Sequence, residues 1–154
     1  MSKSKIKIID DLSLRAEIEQ KIEKMSHVQL AQWALSLAKH VLPYLEQELP
    51  NLEQVEQAFK VNELWQVGQA TVHQVRQAGF QIHNIARECQ SEIAKTAART
   101  AGQAVAVGHM REHAIVASDY AIKVIGLASD NNMKCITEER TWQLIQLQNF
   151  QQDH

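Results

Sequence analysis

The sequence predicts an all-α fold, a single bundle of six or seven helices around a central helix of small residues. Three observations carry that prediction. Only 5 Gly and 2 Pro punctuate 154 residues, while Ala, Gln, Glu and Leu recur, a composition that suits long helices rather than many short strands. Apolar residues return every three or four positions along most of the chain. No stretch alternates as a half-buried strand would. The length fits one domain with one core, here residues 14–150 between tails at 1–13 and 151–154.

The first helix is expected from Leu14 to Lys24, with Leu14, Ile18, Ile22 and Met25 as one narrow stripe. Ser26 suits the N-cap of the second. Leu30, Ala34, Leu37, Ala38, Val41 and Leu45 form its core face, and Trp33 lies near the edge of that face. Pro43 lacks an N–H and should kink or restart this helix, which Pro50-Asn51 ends. Asn51 can then cap a third helix carrying Leu52, Val55 and Phe59.

"WQVGQA", residues 65–70, is a turn at Gly68. A long helix follows, with Val72, Val75, Gly79, Ile82 and Ala86 on one side. Ser91 caps the next, where Ala94, Ala97, Ala98, Ala101, Ala104, Val105 and Gly108 let neighbours approach closely. A helix from Glu92 to Ala128 would be unusually long for a compact domain, so a break is expected near Gly108. Residues 110–128 are helical again, with Ala114, Ala117, Ala121, Val124 and Leu127 or Ala128 inward. After the loop 129–132, Thr137 is expected to cap a last helix whose first turn holds Glu138 and Glu139. Trp142, Ile145 and Asn149 share one of its faces.

A net charge of −2 with neutral histidines offers no basic excess for nucleic acid and no acidic tail. The N-terminal apolar run is too short for a signal-peptide core, and no run approaches a membrane span. Cys89 and Cys135 are too few for a disulfide framework and fit reduced thiols in a cytoplasmic, bacterial-style protein.

Two constellations could carry chemistry. His109-Met110-Arg111-Glu112-His113 spells H-x-x-E-H, which on an unbroken helix would aim two imidazoles at one zinc and place Glu112 beside its water. No third ligand follows at a suitable distance, and a break at Gly108 would separate the histidines. As structural residues, one His at a helix junction bonds exposed helix-end groups and the other bonds a carbonyl or carboxylate. Arg76 and His83 are two turns apart on one face, the spacing of a base and a charge-stabilising guanidinium in all-α RNA-cleaving proteins. Against that stands the ordinary solvated role of a surface arginine. Neither G-x-S-x-G nor a glycine-rich phosphate loop occurs, and no cofactor is expected.

The run "AARTAGQAVAVGHMREHAIVASDYAIKVI", residues 97–125, resembles the signature of the Imm-five-like immunity protein family of bacterial polymorphic toxin systems. The match falls on Ala97, Ala98, Arg99, Ala101, Gly102, Ala104, Ala106, His109, His113, Ala114, Ala117, Tyr120, Ala121 and Lys123. "LAQWALSLAKHVLPYLEQELP", "WQVGQA" and "ERTWQLIQL" resemble further family segments, so the likeness covers most of residues 27–147. Members carry a proline between the two histidines, where this chain has Met110-Arg111-Glu112, which makes the H-x-x-E-H string accidental. The resemblance implies a non-catalytic protein that binds a cognate toxin, with no nucleic-acid or membrane partner; a homodimer also stands among the associations to test. It marks Arg99, His109, His113, Tyr120 and Lys123 as a polar set, expected to be linked across two helices.

Overall fold

The computed structural model describes residues 2–152, and these hold seven helices and no strand. They are α1 (Leu12–Ile22), α2 (His27–Glu46), α3 (Glu53–Gln66), α4 (Val72–Glu88), α5 (Glu92–Ala106), α6 (His113–Ser129) and α7 (Met133–Gln152). The expected C-terminal tail falls partly within α7, and residues 153 and 154 lie outside the described residues.

Local capping chemistry starts most of these helices. Ser26 accepts from the Gln29 N–H at 3.0 Å, while the Gln29 side chain accepts from the Ser26 N–H at 2.9 Å, a complete capping box. Thr71 and Gln74 repeat it for α4, and Ser91 caps α5 through the Ala94 N–H. Asn51 accepts from the Glu53 N–H at 3.0 Å, beside the start of α3. Four starts differ from expectation. The N-cap of α3 is Leu52, with no side-chain cap bond, rather than Asn51, and α6 begins at His113 rather than at 110. Asp11 caps α1 through the Leu14 N–H, so α1 begins at Leu12. The last helix begins at Met133, four residues before Thr137, because Asn132 accepts the Cys135 N–H at 3.1 Å.

Pro43 does not break α2, which continues to Glu46. It sits in the last turn, where its missing N–H costs only the bond to the Lys39 carbonyl, on a residue exposed to solvent. The buried side of α7 is Ile136, Glu139, Arg140, Gln143, Leu144 and Leu147, and Ile145 is 47% exposed. Leu127 and Ala128 also face outward, while Val116, Asp119, Ile122 and Gly126 join the inner face of α6.

The central helix is α5. Ten of its fifteen residues are buried, and it packs on α2, α3, α4 and α6. Alanine at nearly every contact brings these axes close. The break after it falls at Gly108 for a steric reason. A Cβ there would lie 2.7 Å from Val75 Cγ1 and 3.3 Å from Trp65 Cδ2. Side chains from other helices receive the carbonyls at this end: Asn62 Nδ2 donates to Val105 O at 2.9 Å, and the His27 ring nitrogen bonds Val107 O. Helix-end groups that would otherwise be orphaned are thereby satisfied.

Candidate functional site

Two polar assemblies stand out, one sealed and one open. The sealed one joins α1, α6, α7 and the N-terminal segment. Arg140 is 0% exposed and Asp119 is 1% exposed. Asp119 accepts a fork from Arg15 (Nε to Oδ1 2.9 Å, Nη2 to Oδ2 2.8 Å) and a bond from Arg140 Nη2 at 2.6 Å. Asp10 accepts a second fork from Arg140, at 2.8 and 2.7 Å. The remaining Arg140 nitrogen donates to Ser118 Oγ and Gln143 Oε1. Two carboxylates thus neutralise two guanidiniums, as burial of charge demands. The Arg15 guanidinium is held above its ordinary range chiefly by its hydrogen bond to Asp119. The Trp33 indole N–H, in the same interior, donates to Gln143 O at 2.9 Å.

This assembly gives "ERTWQ" a physical meaning. Glu139 is not a first-turn acid but a buried one, accepting from His40 Nδ1 at 2.8 Å, with its carboxyl raised by burial against the opposing pull of His40 and Arg140. Trp142 stacks on the His40 ring at 3.7 Å. Arg140 and Gln143 hold α6. Sequence reasoning missed Asp10, Asp119 and Arg140, because isolated charged residues read as solvated; the only signal was the unusual E-R-x-W-Q spacing itself.

The open assembly gathers the marked polar residues. On α5, Arg99 and Gln103 are one turn apart and half-exposed. On α6, His113, Tyr120 and Lys123 share a half-exposed stripe by their spacing of seven and three. His109 lies in the turn between these helices, its ring 5.1 Å from that of His113. His113 Nδ1 donates to Gln103 Oε1 at 2.7 Å, so its acceptor is a side-chain amide rather than the carbonyl or carboxylate expected. His83 reaches over from α4 and lies flat against Gly102, where an added Cβ would come within 2.6–2.9 Å of the ring.

The set is half-exposed but not linked as a network. Among the described residues, Arg99, Tyr120 and Lys123 make no side-chain hydrogen bond or ion pair, and the buried Nδ1 atoms of His83 and His109 have no partner. Burial, then the charges of Arg99 and Arg87, hold His83 below its ordinary pKa. Burial, then His109, Lys5 and His83, do the same for His113, with Glu112 pulling the other way. Both environments thus disfavour the charged imidazolium.

The catalytic constellations are only partly brought together. His109 stands outside α6 while His113 opens it, and Glu112 lines a cleft against α1 with Glu19, Glu23 and Arg111. The described residues hold no group of three or more His, Cys, Asp or Glu fit for a metal. Arg76 lies over the Phe80 ring at 5.4 Å, while His83 turns to Gly102, so the two do not converge on one reacting group. No helix among the described residues is long and apolar enough to cross a membrane.

No curated protein and no solved structure matches the chain. A family model does, the one described as "Imm-5 like putative immunity protein", and it spans residues 20–150. That range takes in the whole open assembly and the α6–α7 half of the sealed one, and the chain belongs to this immunity-protein family.

Proposed function

We propose that the protein is a non-catalytic immunity protein that neutralises a cognate toxin by binding it, in the cytoplasm of the bacterium that makes both. The observation that carries this reading is the family match over residues 20–150. The architecture supports it. A helical bundle with a sealed ion network and an alanine-packed centre is rigid, and a pre-organised surface loses little freedom on association.

The test is co-expression with the toxin domain encoded beside this gene in a polymorphic toxin locus. Cells carrying both proteins should grow, and cells carrying the toxin alone should not. Growth arrest in both cultures would refute the reading. Zinc at one equivalent in untagged protein would instead favour the hydrolase reading through His109, Glu112 and His113. RNA cleavage lost in His83→Ala would favour the one through Arg76 and His83.

A further inference from the structure

The open assembly has an electrostatic character that the net charge of −2 conceals. Positive groups act on His83 and His113 from α4, α5 and the N-terminal segment. Arg87 comes from α4, Arg99 from α5 and Lys5 from the N-terminal segment, each near enough to act on His83 or His113. Lys7 and Lys123 extend the face along one groove with Ile8 and Leu127. Glu112 is the acid that acts on His113. Acidic side chains concentrate elsewhere. Glu48, Glu53 and Glu88 line a separate cavity of about 420 Å³ between α3 and α4, and Glu56 follows on α3.

We infer that this basic face, centred on Arg99, His113 and Lys123, is the surface that holds the toxin, and that the toxin presents a cluster of carboxylates to it. The inference rests on the toxin-binding reading above and adds the location and the partner's chemistry. Among the described residues, Arg99, Lys123 and Tyr120 have no side-chain hydrogen bond or ion pair to give up when they bond a carboxylate. The ring Nδ1 atoms of His83 and His109 are buried and, among the described residues, have no hydrogen-bond partner. Recessed imidazoles beside an arginine suit a short carboxylate side chain. A long polyanion would meet the repulsion of the acidic α3 end, and nucleic-acid binding draws on many cations at once.

The arrangement sets the sign of a pH effect. In the free protein burial and the charges of Arg87 and Arg99 oppose protonation of His83, and burial with Lys5 opposes that of His113 while Glu112 favours it. An incoming carboxylate raises their proton affinity, so binding takes up protons and tightens as pH falls from 8 toward 6.

Titration calorimetry with the toxin domain from the adjoining gene tests this. R99E/K123E should weaken binding at least about tenfold, with the same melting temperature as wild type, as expected for charge reversal at an interface. E53K/E56K should change it little. H83Q/H113Q should abolish the tightening at low pH. Equal binding by wild type and R99E/K123E would overturn the inference and leave the immunity reading intact. No binding by wild type would overturn both. If a short DNA duplex binds and loses affinity in R99E/K123E while the toxin does not, the face serves nucleic acid and the inference falls. It falls too if sedimentation shows a wild-type dimer that the same variant dissociates while toxin binding persists.

Discussion

Gly102 and Gly108 illustrate how one missing methyl group can serve two purposes. At Gly102 the space is taken by the end of the His83 side chain, which is half-exposed and can swing outward. Gly102→Ala should therefore change stability by less than about 1 kcal/mol, because the helix-propensity gain of alanine offsets the displaced ring. At Gly108 the space is taken by Val75, fully buried and stiff at χ1. Gly108→Ala should cost about 1–3 kcal/mol in urea denaturation, the range for overpacking. Equal costs at the two sites would contradict this reading. Arg140→Met should cost more, about 3–5 kcal/mol, since it leaves Asp10 and Asp119 buried with too little positive charge. His113→Ala should cost about 1–2 kcal/mol through the lost bond to Gln103 and should be the milder of the two.

At the scale of elements, the N-terminal segment is more than the tail its composition suggests. Residues 2–11 form no helix, yet Asp10 supplies the second carboxylate that Arg140 needs, and Asp11 both caps α1 and accepts from Thr137. Removing residues 2–11 should lower the unfolding free energy by about 3 kcal/mol or more, as breaking a buried ion pair does, although the family match begins only at residue 20. A deletion with an unchanged urea midpoint would show the segment to be dispensable. The helix boundaries teach the same lesson. Ser26 and Ser91 could be identified as caps because a hydroxyl beside an apolar-periodic run has few other roles. Asp11 and Asn132 could not, because nothing local distinguishes them from ordinary loop residues. Leu127 and Ala128 were misplaced because the stripe of Ala114, Ala117, Ala121 and Val124 is buried as expected but the last turn of α6 buries Gly126 instead.

For the whole molecule, the recessed histidines shape the response to pH. A base whose folded pKa is depressed contributes stability that is intact above the unfolded value of 6.5 and lost as pH falls below it, because the unfolded chain then binds more protons. The melting temperature should hold from pH 8 to about 7 and decline as pH drops from 6.5 toward the lowered folded values. H83Q/H113Q should make that decline shallower; an unaltered pH profile would mean that the two imidazoles are already solvated. The same groups thus trade against each other: protonation that loosens the free protein would tighten a complex with carboxylates.

The sequence by itself determined the all-α class, the alanine-rich helix at the centre, the break at Gly108 and the family, since helical period, small-residue spacing and a run of matched positions are all local properties. It also marked Arg99, His109, His113, Tyr120 and Lys123 without saying how they relate. Tertiary structure decided that. It left these residues half-exposed without bonding them into a network, and it buried Asp10, Arg15, Asp119 and Arg140, whose partners lie as many as 130 positions apart. Charges read from a sequence default to solvent because their burial depends on a counter-charge that only the folded chain brings within 3 Å.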